Sequence, residues 1–410
     1  MRTTFLPFSP PLIGEEEIAE VVDTLRSDWI TTGPKVKLFE QEFAAAVDAP
    51  EALGLNSCTA ALHVALATLG VGPGDAVITT PMTFCSTVHV IEQAGALPIL
   101  VDVEPGTLNL DSGKVRETLE GLDPKIGKNR PRVKAIIPVH LYGHPCDMDT
   151  LLEIASSHGC ALIEDAAHAL PAEYKGRKIG SLGGNSGVPV LTCFSFYATK
   201  NMTTAEGGML AGRAELLEEA RPWSLHGMTR DAWKRYGREG SWHYDVDRPG
   251  FKYNMTDIQA ALGLHQLRKL NAFHRRRREI ANRYNRAFRE LEELETPTEQ
   301  PWAGHACHLY VLRLHQERLA LSRNQFISEL QARNIGTSVH FIPIHLHSYY
   351  REKYGYAPQD FPVAYSQYQR ILSLPCSPRM SGQDVEDVID AVTDLVVRNM
   401  RSRSGRAAGA

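Results

Sequence analysis

The sequence predicts an α/β fold: a buried, mostly parallel central sheet, followed by a smaller C-terminal α+β domain. Three observations support this. Short apolar runs rich in Val, Ile and Phe recur between Ala76 and Phe196, stretches with helical periodicity separate them, and a Pro-rich break, Glu295-Thr-Pro-Thr-Glu-Gln-Pro301, follows one long helical pattern.

Taken in order, Ile18, Val21, Val22 and Leu25 recur on one helical face, as do Leu62, Ala65, Leu66 and Leu69. Each set predicts an amphipathic helix. The runs at 76–79, 97–101, 133–139, 161–163 and 191–196 have strand length and are apolar without alternation. That pattern belongs to strands buried on both faces, with crossover helices covering the sheet. A single helix is expected from Asp257 to Leu294, ended by the Pro-rich break. This places a large domain at 1–294 and a small one at 295–400. Residues 401–410 carry no apolar periodicity and read as a flexible tail.

Composition narrows the function. With 43% hydrophobic and 22% charged residues and a formal net charge of −4, the chain has no basic field to attract nucleic acid or anionic lipid. Small-molecule chemistry is the expectation. No apolar stretch reaches the roughly 20 residues of a membrane span, and the N-terminus lacks a signal-like apolar core, so a cytoplasmic location is expected. Seven scattered cysteines without a CxxC pair argue against disulfides and zinc. Arg275 to Arg278 point in different directions around a helix and read as a solvated face. His340, His345 and His347 have no accompanying carboxylate cluster; they read as surface or substrate-pocket histidines, and no metal is expected.

The candidate chemistry begins at Lys200, in Phe194-Ser-Phe-Tyr-Ala-Thr-Lys200, just past a hydrophobic strand and before the turn Gly207-Gly208. An ammonium there is poorly solvated, so a neutral, nucleophilic amine suited to imine chemistry becomes accessible. A snorkelling surface lysine is the bland alternative. Asp165, in Ala161-Leu-Ile-Glu-Asp165-Ala-Ala-His168, ends another buried strand, where open α/β sheets gather ligand groups. It reads either as a helix N-cap or as a carboxylate that holds a pyridine nitrogen protonated, which pyridoxal 5'-phosphate requires. Asn56-Ser-Cys-Thr59-Ala60-Ala-Leu62 is a polar turn opening an apolar helix, suited to a phosphate or to plain capping. Ser195 can add a hydroxyl to that phosphate, and Phe84 can stack on an aromatic ring or simply fill core.

With these motifs in hand, the chain resembles the DegT-type sugar-nucleotide aminotransferases, within the fold-type I pyridoxal-phosphate enzymes of the aspartate aminotransferase superfamily. The likeness runs from Pro7-Phe-Ser-Pro-Pro11 and Trp29-Ile-Thr-Thr-Gly-Pro34 through these elements to Gly250-Phe-Lys-Tyr-Asn-Met-Thr-Asp-Ile-Gln-Ala-Ala-Leu-Gly263 and Leu372-Ser-Leu-Pro375. It implies a three-layer PLP-transferase fold. It also implies that Lys200 carries the cofactor as a Schiff base, that Asp165 pairs with the pyridine nitrogen, and that His168 lies near the phenolic oxygen. Phe84 stacks on the ring, Thr59, Ala60 and Ser195 hold the phosphate, and Asn254 reaches a neighbouring subunit's phosphate in a homodimer. One departure is Tyr365 after Ala364, where relatives commonly carry Glu.

The resemblance further implies amino transfer from an amino acid, with glutamate as donor, to a nucleotide-linked ketosugar in cell-surface polysaccharide biosynthesis. The Thr-rich loop running into Glu206-Gly-Gly208 resembles that of enzymes acting at C4; the alternatives are a C3 ketosugar or a ketocyclitol. Two rivals remain, a pyridoxal-phosphate sugar dehydratase and a non-catalytic regulator. Lys200 argues against the first, since related deoxygenating enzymes carry histidine there.

Overall fold

The computed structural model describes residues 2–121, 131–182, 187–228 and 243–401, so the expected tail lies almost wholly outside the described residues. The chain opens with α1 (Glu15–Arg26), α2 (Pro34–Ala46), β1 (Glu51–Leu55) and α3 (Cys58–Thr68). Strands and helices then alternate through β2 (Asp75–Thr79), α4 (Ser86–Gln93), β3 (Leu97–Leu100), α5 (Ser112–Gly121), β4 (Arg132–Ile136), α6 (Met148–His158) and β5 (Ala161–Asp165). Next come β6 (Glu173–Tyr174), β7 (Arg177–Lys178), β8 (Val190–Ser195), β9 (Gly208–Gly212), α7 (Ala214–Ser224) and α8 (Asp257–Phe288). The C-terminal part holds β10 (Leu294–Glu295), β11 (Ala303–Gly304), β12 (Tyr310–Leu314), α9 (Arg323–Ala332), α10 (Ser348–Tyr354), α11 (Pro362–Arg370), β13 (Ile371–Leu374) and α12 (Gly382–Asn399).

The central sheet has seven strands in the order β1-β9-β8-β5-β4-β2-β3, and only β9 runs against its neighbours. All five apolar runs read from the sequence are strands of this sheet, which is mostly parallel as expected. Its two faces are both buried. Ile78, Ile136, Leu162 and Phe194 pack with α2 and α6 on one side, while Val77, Ile137, Ile163 and Cys193 pack with α3 and α7 on the other. This is the period-two alternation of a strand inside a three-layer sandwich. It also sorts the polar residues at the strand ends: Asp165 and Ser195 share the α3 face, whereas Glu164 and Thr192 share the α6 face.

Helix α8 starts with a capping box, Thr256 accepting from the amide of Gln259 while Gln259 returns the bond. Its later residues Ile280, Ala281, Tyr284 and Phe288 join a second core with the antiparallel sheet β10-β12-β13 and with α12. The helix stops at Phe288 rather than at the expected Leu294, because Leu294 pairs with Leu314 as the start of β10.

The amphipathic helix expected around Ile18 to Leu25 is α1, but its faces, and one residue of the arginine run, are turned in an unexpected direction. In α1 the apolar stripe faces water, with Ile18 48% and Leu25 57% exposed, and Glu17 and Thr24 are the buried residues. Polar partners on α8 explain this: Glu17 accepts from Gln266 and Lys269, each at 2.7 Å, and Lys269 also pairs with Glu16. In the Arg275 to Arg278 run, Arg277 turns inward, buried, and donates to the Cys376 carbonyl.

Candidate active site

A cavity of about 460 Å³ opens at the C-terminal ends of β5 and β8. Asp165, His168, Ser195 and Lys200 line it from the strand ends, Ser57, Cys58 and Thr59 from the start of α3, Phe84 from the loop before α4, and His308, His340 and Phe341 from the C-terminal part.

Lys200 is held there by a tight turn, its amide donating to the Tyr197 carbonyl at 2.9 Å. Among the described residues its Nζ has no hydrogen bond or ion pair. Burial pushes its pKa down to about 8, against the opposing pull of Cys58 and Asp165. Neutral amine is therefore available near physiological pH.

Asp165 is buried, and burial raises its carboxyl above the ordinary range while hydrogen bonds from Thr87 and Ala167 oppose the rise. Thr87 Oγ1 donates to Oδ2 at 2.8 Å, and the Ala167 amide donates to Oδ1 at 3.2 Å. No helix follows Asp165, so the capping alternative shrinks to that one amide bond. A buried carboxylate strained in this way is matched by a cationic ring nitrogen.

His168 accepts the Tyr142 amide on Nδ1 at 3.3 Å, which leaves its proton on Nε2. Burial pushes its pKa well below the usual imidazole range, with the charge of Lys200 adding to the effect, so the ring is a neutral donor. It stacks on Phe341 at 5.6 Å and meets His308 edge-on at 4.9 Å.

The start of α3 has the expected form. Ser57 is the N-cap, and its hydroxyl accepts from the Ala60 amide at 3.0 Å. Helix geometry leaves the amides of Cys58 and Thr59 without an intrahelical acceptor, but that of Ala60 is already engaged, and Ala60 does not line the cavity. Gly208 makes the site compact: a Cβ there would stand 2.5 Å from the Cys58 amide nitrogen. Phe84 is 56% exposed at the mouth, its ring 5.8 Å from that of Phe341.

Asn254 is not brought to this cavity. It lines a separate groove of about 830 Å³ with Trp29, Thr32 and Lys37, and its side-chain amide donates to Thr32 Oγ1 at 2.6 Å. Of the three histidines, only His340 lines the Lys200 cavity; His345 is fully buried, packed 4.8 Å from the Phe361 ring. Sequence reasoning missed Thr87, Tyr142, His308 and Phe341. Only the spacing of Thr83 and Thr87, one helical turn apart in Thr83-Phe-Cys-Ser-Thr87, hinted at a shared polar face.

Among the described residues, an amine with no hydrogen bond or ion pair, a buried carboxylate with no salt bridge, a neutral imidazole donor and helix-start amides with no intrahelical acceptor together fit pyridoxal 5'-phosphate. Comparison with known proteins agrees. The DegT/DnrJ/EryC1/StrS aminotransferase family matches residues 11–393. The chain is 50% identical over 397 residues to the spore coat polysaccharide biosynthesis protein SpsC of Bacillus subtilis, covering 96% of this chain and 98% of that one. Spr1654 of Streptococcus pneumoniae, assigned as a sugar aminotransferase and solved in PLP and PMP forms, superposes with a TM-score of 0.85 at 35% identity, over 96% of this chain and 99% of the other. PseC of Helicobacter pylori, an aminotransferase of pseudoaminic acid biosynthesis, also gives 0.85, at 26% identity, over 97% of this chain and 100% of the other. The chain belongs to the DegT/DnrJ/EryC1/StrS aminotransferase family and is a pyridoxal-phosphate-dependent aminotransferase.

Proposed function

We propose that this enzyme moves the amino group of glutamate onto C4 of a nucleotide-linked ketosugar, in the cytoplasm, as a homodimer with shared sites. The observation that carries the reading is the unpaired amine of Lys200 in a cavity that also holds the buried Asp165. Bound pyridoxal phosphate supplies an electrophilic carbon and an electron-accepting ring. Lys200 would hold the cofactor through its amine and would serve as the acid/base group at the substrate carbon; a pKa of about 8 suits that role near neutral pH. Asp165 would hold the ring nitrogen protonated, and the Nε2–H of His168 would be available to the phenolic oxygen. Thr59, Ser195 and the first amides of α3 would hold the phosphate, joined by Asn254 of a partner subunit. Phe84 would stack on the ring.

The C4 assignment rests on the loop after Lys200. Thr203 and Thr204 turn inward, donating to the Phe196 and Glu206 carbonyls at 3.0 and 2.7 Å. Their role is to set the backbone path that brings Glu206 and Gly207 into the cavity wall. A wall displaced by an ångström changes which ring carbon meets the amine. A sugar acceptor also suits the spore-coat and pseudoaminic acid assignments of SpsC and PseC. The same reading divides the chain into a cofactor domain, 1–294, and a smaller domain, 295–400, that closes the cavity through His308, His340 and Phe341.

The test is product analysis by NMR after incubation with glutamate and matched 3-keto and 4-keto nucleotide sugars. Amination at C4 is expected. Amination confined to C3, or to a free ketocyclitol, overturns the regiochemistry and leaves the aminotransferase intact.

A further inference from the structure

His140 and Glu164 are fully buried, and the chemistry described so far uses neither. They sit across the sheet from the cofactor face, because Glu164 and Asp165 are neighbours on β5 and point to opposite sides. His140 Nε2 lies 3.0 Å from Glu164 Oε2, and Thr192 Oγ1 donates to Glu164 Oε1 at 2.7 Å. On its other side the ring accepts the Cys146 amide on Nδ1, at 3.0 Å. A nitrogen that accepts a hydrogen bond carries no proton, so the proton is on Nε2 and is donated to Glu164. The imidazole thus bridges the Glu164 carboxyl group to the backbone.

What the bridge fastens is the loop 139–146, which crosses the end of β5. The His140 amide donates to the Asp165 carbonyl at 3.1 Å, and the Asp165 amide donates to the Pro138 carbonyl at 2.9 Å. Two residues on, the Tyr142 amide reaches His168 Nδ1. The loop's shape is not one the backbone adopts unaided: Tyr142 has φ +58°, and a Cβ at Gly143 would stand 2.8 Å from the His168 carbonyl oxygen. Asn109 holds the far side, accepting the Leu141 amide at 2.9 Å and donating to the His144 and Pro145 carbonyls, each at 3.0 Å. The side-chain link back to the strand that carries Asp165 runs through His140.

We propose that His140 and Glu164 are positioning residues for the cofactor site, locking the 139–146 loop so that its backbone fixes both the placement of Asp165 and the Nε2–H tautomer of His168. The proposal rests on the reading that Asp165 and His168 face the cofactor. Lys200, His308 and His340 are the titratable groups that face the His168 ring, and none of them touches the Glu164–His140 pair.

Glu164→Leu strips the acceptor from His140 and tests the link. Expected are a folded chain by circular dichroism, pyridoxal phosphate bound about tenfold more weakly in equilibrium dialysis, and mixed tautomers of His168 in heteronuclear NMR of the cofactor-free protein. Glu164→Gln, which keeps an oxygen for His140, stays within about twofold of wild type and retains one tautomer. If Glu164→Leu does not fold, His140→Asn is read in the same two ways; its amide oxygen can face Cys146 but is too short to reach Glu164. Native affinity with an unmixed Nε2–H His168 in the severed variant overturns the proposal, as does Glu164→Gln failing as badly as Glu164→Leu. Full turnover by Asp165→Asn overturns the underlying cofactor reading instead.

Discussion

Thr87 donates its hydroxyl to the carboxylate of Asp165 at 2.8 Å, and Thr83 bonds Thr87 in turn at 2.7 Å. The carboxylate that burial pushes toward protonation is thus held back by a short hydroxyl chain on α4 and the loop before it. Thr87→Val removes that donor and lets the Asp165 pKa rise. Asp165 is needed ionised, so activity is lost as pH falls through the raised value. The acidic limb of the kcat/KM profile is expected to move up by about one pH unit. An unmoved limb in stopped-flow half-reactions contradicts this role for Thr87.

Lys200→Ala is expected to lower turnover by at least about 10³-fold, since holding the cofactor and moving the proton both depend on one amine. Borohydride treatment followed by mass spectrometry supplies a second reading. Wild-type chain gains the covalent mass of the cofactor, and the variant does not.

Shared sites predict complementation. Lys200→Ala and Asn254→Ala chains, each inactive alone, are mixed, dissociated and reassociated. Hybrid dimers regain up to about a quarter of wild-type activity if Asn254 serves the partner's phosphate. A fully active monomer by light scattering rules the arrangement out.

The lowered pKa of Lys200 has a stability signature. A group at about 8 when folded and about 10.4 when unfolded makes the unfolded chain bind more protons between those values. The cofactor-free wild type is therefore penalised fully below the folded value, and the penalty disappears as pH rises through the unfolded one. Cys58 and Asp165 face the amine and reduce the penalty; His168, His308 and His340 are neutral there. Comparison with Lys200→Met isolates it from the buried thiols that titrate in the same range. The variant is expected to be more stable near neutral pH by on the order of 3 kcal/mol, with the gap closing in alkaline solution. A gap independent of pH in urea titrations contradicts the assignment.

Much of the fold and part of the site were legible in the sequence. The five parallel strands announced themselves because a strand buried on both faces has no polar alternation to hide it. Strands β1 and β9, Glu-Ala-Leu-Gly-Leu and Gly-Met-Leu-Ala-Gly, did not, since glycine and alanine carry little strand preference and only pairing with each other and with β8 makes them strands. Lys200 and Asp165 stood out through their places at strand ends. Thr87 and Tyr142 act through one hydrogen bond each, made to residues 78 and 26 positions away, and no local pattern encodes such a bond.

Helix α1 shows how hydropathy can misreport which side of a helix evolution is free to change. Its conspicuous residues Ile18, Val22 and Leu25 contribute little to folding the single chain, so polar replacements there are expected to fall within about 0.5 kcal/mol. Its inconspicuous Glu17 is the constrained position, because an apolar residue in its place leaves one N–H of the buried Gln266 amide unpaired and takes a partner from Lys269. Mutational tolerance along this helix is therefore inverted with respect to its apolar pattern, and a redesign guided by that pattern alone would conserve the dispensable face and alter the essential one.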